Sequence, residues 1–547
     1  MGTLNIGRVE PVRMPAPPVM EEPARGRKSS AALSKAVSLH LEGRLSDAAS
    51  ILRETIAEGE QDPALRSALG HIHYELGEYD SAAEAYAQLK SQDSKHKTAS
   101  FNLGVCQGNL RDWNAAAESF AAAYAADGSR ADALLGLGIC LIHAGRHSEA
   151  MQPIDRYLAQ SPNNEQALFG KAVTLHQMGR PAEAAEFYRQ VLALNPRSEE
   201  ALSNLVALFL QEEDTESVRR YAEMLHSVRP DSAAATEAMA AVAFADGDYI
   251  AATRHCLSLV EGSPERFENW FNLGVAYHKM GSYEKAASAY EKAANLKADS
   301  GQAHLNLGVV RQEMGDLAAA RAAYEKSYQI DPTQSGVLWN LALVLEHQAE
   351  RNWAEKLYSK IPPEAAEWPD AMFRLGYLRL LRGDFAAGAE AFHACLETRP
   401  GWSEAWLNTG IAFARSGDSE RARRAFERAL ETSPESTDAV RGLAALALDR
   451  EDYETAYGLH CKLIESGEAA PELYYNAGLI CQKRGSMEDA ALHYRQALQV
   501  EPQFAEALLN LGHVLMAAGQ EEEARACWRK AIREKPELAH DYFEPVQ

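Results

Sequence analysis

The chain has 547 residues and a formal net charge of −23 at pH 7. That balance excludes a nucleic-acid footprint, which needs clustered Lys and Arg to displace counterions, and favours neutral or basic partners. At 46% hydrophobic and 24% charged residues the bulk of the chain can bury a core, and its length alone would suggest three or four globular domains unless it is built of repeats.

Residues 1–28 are rich in proline and contain no apolar run of signal-peptide length, so disorder is expected there. Ile6 stands where N-myristoylation after Met1-Gly2 would need Ser or Thr. No later stretch reaches the ~18 apolar residues of a membrane-spanning helix. Seven scattered cysteines fit a reducing compartment, and a cytoplasmic location is expected.

From residue 29 to 538 one unit recurs. Positions 34 residues apart are Ala36, Gly70, Gly104, Gly138, Ala172, Val206, Ala240, Gly274, Gly308, Ala342, Gly376, Gly410, Ala444, Gly478 and Gly512, with no insertion needed. Twelve residues after each of these anchors stands Ala in all but two units, where Val218 and Gly388 replace it. Sixteen residues after the anchor a ring is common, as at Tyr86, Phe120, Tyr188, Tyr290, Tyr324, Tyr358, Phe392, Phe426, Tyr494 and Trp528. Gly145, Gly179, Gly281 and Gly417, seven past their anchors, supply a turn between two helices. Small residues let paired helices approach, the ring fills the space beside them, and a pair that cannot bury its own apolar face must stack on its neighbours.

Several units depart from this pattern. Pro153 lies inside the second helix of the fourth unit and is expected to kink it. The sixth carries Val206, Glu213 and Val218, and the thirteenth Glu451 and His460, at small, turn or ring positions. Pro362 and Pro363 are expected to end the second helix of the tenth early. Only a tail at 539–547 follows the array, so the last unit is expected to expose apolar surface that another copy could cover.

The 34-residue period and the run Trp270, Leu273, Gly274, Tyr277, Ala286, Tyr290, Ala293 resemble the tetratricopeptide repeat. The resemblance implies an all-α fold: a right-handed α-solenoid of about fifteen helix-turn-helix repeats, with first helices lining an inner groove. Two residues before the anchor, Asn recurs at Asn102, Asn204, Asn272, Asn306, Asn340, Asn408, Asn476 and Asn510. In this family that position faces the groove. There an amide can pair with both C=O and N–H of an extended peptide, similar to the asparagine ladder in the repeat arm of O-linked N-acetylglucosamine transferases. The same amides can instead bond within the helix array, and both readings stand. Acids recur six residues before the anchor, at Asp132, Glu200, Glu268, Asp370, Glu404, Asp438, Glu472 and Glu506, where they also complement the helix dipole. Family members that clamp acidic C-terminal tails use Lys three before the anchor and Asn one after. Here those positions hold residues such as Phe271 and Val275, so that clamp is absent.

Chemistry is sparse. His40, His176 and His278, each four past its anchor, fall in non-adjacent units; His71 and His73 form His-x-His; and Gly145 breaks the helix between His143 and His147. Cys106, Cys140, Cys256, Cys395, Cys481 and Cys527 occupy interior-type positions and read as structural thiols. No phosphate loop, dinucleotide fingerprint or nucleophile elbow is present, and the array leaves no room for a catalytic domain. The expectation is a non-catalytic protein–protein interaction scaffold without cofactor, metal or catalytic residues, binding extended neutral or basic segments in its groove. The alternatives are a substrate-recruiting arm of a separately encoded enzyme such as a glycosyltransferase, or a structural protein that self-assembles through its C-terminal repeat.

Overall fold

The computed structural model describes residues 26–94, 96, 98–467 and 470–540. Among them are thirty α-helices, two for each of the fifteen units, and a 3-10 turn at Pro536–Ala539. The chain divides into two compact units after residue 297, which falls between the eighth and ninth repeats. The first holds sixteen helices, from Arg27–Leu41 to Tyr283–Leu296, and the second fourteen, from Gly301–Glu313 to Glu521–Glu534. Within each unit every repeat is an antiparallel-type helix pair stacked on the next, an α-solenoid. The first helix begins at Arg27, inside the segment assigned to the N-terminal region; residues 1–25 and 541–547 lie outside the described residues.

The helices begin where side chains satisfy their unpaired N–H groups. Asp112, Asp214, Asp248, Asp316, Asp384, Asp418 and Asp452 each cap a second helix by accepting from the N–H three residues on. Asn164, Ser198, Ser232, Ser300 and Ser436 do the same for first helices.

The packing logic of the repeat is visible atom by atom. A Cβ added at Gly274 would lie 2.7 Å from the Tyr290 ring, one at Gly410 2.6 Å from Phe426, and one at Gly70 2.8 Å from Tyr86. Each anchor glycine is therefore the space its own repeat's ring occupies, except Gly138, where the side chain is Ile154. The departures fill the same two positions with other side chains. In the sixth repeat Val206 faces the register of Ala222, in the seventh Ala240 that of Cys256, and in the first Ala36 that of Leu52, all of them buried. In the tenth repeat the second helix is only Arg351–Tyr358, eight residues long, as the two prolines require. The helix His147–Gln160 runs unbroken through Pro153, which is buried.

The expected apolar exposure at the last repeat is not found among the described residues. No large hydrophobic side chain after Val500 is exposed, because the 3-10 turn folds Leu538 back into the terminal core with Trp528 and Leu511. The expectation allowed for too little chain to shield the last pair, whereas the turn at Pro536–Ala539 already places an apolar residue, Leu538, in its core.

In all fifteen repeats the residue seven past the anchor has a left-handed backbone. Eleven are glycine; Arg111, Glu213, Ala349 and Glu451 are not, with φ between 57° and 63°. An L side chain there costs about 1–2 kcal/mol, offset in part by the greater freedom of glycine in the unfolded chain. Glu213→Gly and Glu451→Gly are thus expected to stabilise by about 0.5–1 kcal/mol, and Gly281→Ala to destabilise by about 1 kcal/mol. Urea midpoints followed by circular dichroism check this; Gly variants with lowered midpoints contradict it.

Candidate functional site

The eight asparagines do not share one environment. Asn102 and Asn204 are completely buried, each against the phenol of the preceding repeat, Tyr86 and Tyr188 respectively. Burial drives both phenol pKa values up and the facing amide draws them back, although neither hydroxyl reaches good hydrogen-bond geometry. Asn510 is buried and donates to the Tyr475 hydroxyl at 3.0 Å. Asn272 is buried as well, at 6% exposure. The remaining four are half-buried and all lie in the second unit. Asn340 and Asn408 each spend one N–H on the carbonyl four residues back, Gly336 at 2.8 Å and Glu404 at 2.9 Å, and Asn306 accepts from Gln302 at 2.9 Å. Asn476 is the fourth. Repetition in sequence thus hides two jobs: amides that line the core between repeats and amides presented at the surface of first helices.

Some of the recurrent acids find partners within their own repeats. Asp370 pairs with Arg399 at 2.9 Å and Glu506 with Lys535 at 2.7 Å, each joining the start of a first helix to the end of the second. Lys535 holds the Glu506 carboxyl below its ordinary range. The Trp270 and Trp406 indoles donate to the carbonyls of Pro264 and Pro400 at 2.8 and 2.9 Å, tying the repeat-closing prolines to the next first helix. The buried thiols of Cys106, Cys140, Cys256 and Cys395 are pushed up to about 12 and that of Cys481 to about 11 by desolvation, which removes thiolate at neutral pH. Cys527, read as interior, is only half-buried, as is Cys461.

The second unit also contains a cleft of about 960 Å³ that sequence periodicity did not reveal. Its walls are the second helices of the eleventh and twelfth repeats, Phe385–Thr398 and Ser419–Thr432, and its floor is the helix Ser403–Arg415. Ala386, Ala389, Ala394 and Ala425 keep the walls low, and Trp406 and Phe413 form an aromatic floor. Arg421, Arg424 and Arg428 follow one another along one wall at helical spacing, opposite Glu390, His393 and Glu397. Arg421 lies 5.5 Å from the Phe413 ring centre and Arg428 5.7 Å from that of Trp406. The arginines are paired with exposed carboxylates of their own helix, Arg421 with Asp418 and Arg424 with Glu420 at 3.3 Å, and such pairs exchange partners at little cost. The signal for this cleft was in the sequence as "SERARRAFERA", a locally basic helix in an acidic chain.

Stacked helix pairs, glycine–ring packing and a small-residue ladder every 34 residues define a helical repeat protein. Models described as tetratricopeptide repeat match residues 39–100, 107–165, 265–333, 373–423, 407–471 and 505–538, and one described as TPR repeat matches 478–519. A model of the N-terminal TPR repeats region of Psidin matches 140–266. The chain belongs to the tetratricopeptide repeat family, and it is a protein-interaction scaffold with protein partners. No curated protein matches it. Among solved structures, YrrB, a TPR protein with an unusual peptide-binding site, is 20% identical, with 34% of this chain and 96% of that one covered and a TM-score of 0.32. The APC/C hetero-tetramer Cut9–Hcn1 is 13% identical, with 84% and 98% covered and a TM-score of 0.31. A tetratricopeptide repeat protein from Parabacteroides merdae is 18% identical, with 49% and 98% covered and a TM-score of 0.30. Among the described residues no helix is long and apolar enough to cross a membrane.

The two asparagine environments predict opposite mutational responses. Asn102→Ala is expected to cost about 1–3 kcal/mol, because a buried phenol loses its polar neighbour, whereas Asn408→Ala is expected to stay within about 0.5 kcal/mol. Denaturation midpoints of the two variants decide this; equal effects contradict it.

Proposed function

We propose that this chain is a non-catalytic scaffold that holds extended segments of partner proteins against the surface amides of its second unit. The observation that carries this reading is the half-exposed Asn306, Asn340, Asn408 and Asn476 at one position in the ninth, tenth, twelfth and fourteenth repeats. The intrahelical bonds of Asn340 and Asn408 orient each amide while using one of its two N–H groups, so an oxygen and an N–H remain to pair with a peptide backbone. Adjacent repeats are on the order of 10 Å apart, which matches roughly three residues of extended ligand between Asn306 and Asn340. Backbone pairing supplies grip without reading side chains; selectivity comes from the neighbouring rings and charges. The acidity of the chain favours neutral or basic segments there.

The cleft supports a second mode at the eleventh and twelfth repeats. Its arginine wall and aromatic floor suit an acidic segment carrying an apolar anchor, whose carboxylates would replace the exposed intrahelical partners of Arg421 and Arg424.

Affinity capture from native lysate tests both modes, comparing wild type with a variant carrying Asn→Ala at 306, 340, 408 and 476 and one carrying Arg→Glu at 421, 424 and 428, each shown to be fully helical. Each variant is expected to lose a different subset of captured proteins by at least severalfold. Identical captured sets for all three forms would overturn the proposal. A transferase within the first subset would favour the recruiting-arm alternative.

A further inference from the structure

The first unit brings together three side chains that sequence spacing keeps apart. His71 and Glu75 lie one turn apart on the helix Pro63–Glu75 of the second repeat, and His40 lies near the end of Arg27–Leu41 in the first. His40 Nε2 is 2.7 Å from Glu75 Oε2, and His71 Nε2 is 3.1 Å from Glu75 Oε1. The ligand-type atoms of all three fall within 4.8 Å of one another, and the two imidazole rings are 6.2 Å apart. His73, the other half of the His-x-His pair, turns away to Glu78 at 2.6 Å and Arg53 at 3.3 Å, so the group is these three residues and not the sequence motif.

We propose that His40, His71 and Glu75 form a binding site for a divalent transition ion of the zinc class, which clasps the first helices of the first two repeats. Two imidazoles and one carboxylate are a donor set that suits zinc, with a fourth position left for water or a partner's side chain. Ligands on a tetrahedral ion with bonds of about 2.0–2.1 Å stand roughly 3.3 Å apart, so small side-chain rotations bring this set onto one ion. The carboxylate already draws both Nε2 atoms toward one point, each to a different oxygen. His40 and Glu75 are about a third exposed, which gives an ion its path in.

The site has one weakness that sets its strength. His71 Nδ1 is buried without a hydrogen-bond partner, and when Nε2 ligates, the ring proton must sit there. A missing outer partner of this kind lowers affinity by about 10–100-fold. The clasp also has a structural use. It sits on the first repeat, whose helix exposes Val37 and Leu41 and, among the described residues, packs on its own second helix and on the second repeat.

Calorimetric titration of the full chain, free of any histidine tag, with ZnCl2 at pH 7.5 tests this. Wild type is expected to take up one saturable equivalent at micromolar concentration and to show a higher thermal midpoint with zinc. His40→Ala and His71→Ala are expected to weaken that equivalent at least tenfold and to abolish the thermal shift, Glu75→Gln to weaken it while preserving the imidazole contacts, and His73→Ala to leave it unchanged. No saturable equivalent in wild type, or equal binding by wild type, His40→Ala and Glu75→Gln, would overturn the proposal. Circular dichroism shows that each variant is folded, and the partly exposed His40 and Glu75 positions keep the test valid if His71→Ala is not.

Discussion

Ten of the fifteen repeats are built on one contact: the ring sixteen residues past the anchor lies against a helix surface left bare by glycine or alanine. Where that contact is made by Gly274 and Tyr290, or by Gly410 and Phe426, no room remains even for a methyl group. The ring locks the two helices of a pair at one separation, and the pair then offers a flat apolar side to its neighbours. Repeats without the ring place other buried side chains at these two positions, as with Val206 and Ala222 or Ala36 and Leu52. The stack tolerates such exchanges because each repeat touches only its neighbours, so an adjustment need not propagate.

Rigidity at these contacts leaves the outer positions free to diverge, and the two candidate binding features occupy such positions. The surface amides of the second unit and the arginine wall of the cleft rest on backbones fixed by alanines and rings beneath them. A scaffold of this kind acquires specificity by changing side chains that carry no packing load. The locally basic helix Ser419–Thr432, in a chain of net charge −23, is an instance of that freedom.

What is periodic in the molecule was legible in the sequence. The small anchors, the rings, the turn residues and the shortened tenth repeat follow from spacing and from the conformational limits of glycine and proline. What depends on a neighbour at another offset was not. Asn102 and Asn408 occupy the same register position, yet one faces the buried phenol of Tyr86 and the other bonds its own helix at Glu404, and a shared register does not distinguish them. His40, His71 and Glu75 sit at three different positions relative to their anchors, so a search for recurrence at one position passes over them. Leu538, buried in the terminal core, lies beyond the last repeat and outside any 34-residue register.

If the anchor and the ring act as one packing unit, a double-mutant cycle on Gly274 and Tyr290 will show strong coupling between them. Gly274→Ala should destabilise the folded state by about 1–3 kcal/mol through overpacking, despite the better helix propensity of alanine. Tyr290→Leu should destabilise it by opening space at the same contact. The account predicts that the double variant recovers at least about 1 kcal/mol relative to the sum of the two. Additive losses would show that the two positions are independent, and would contradict the account.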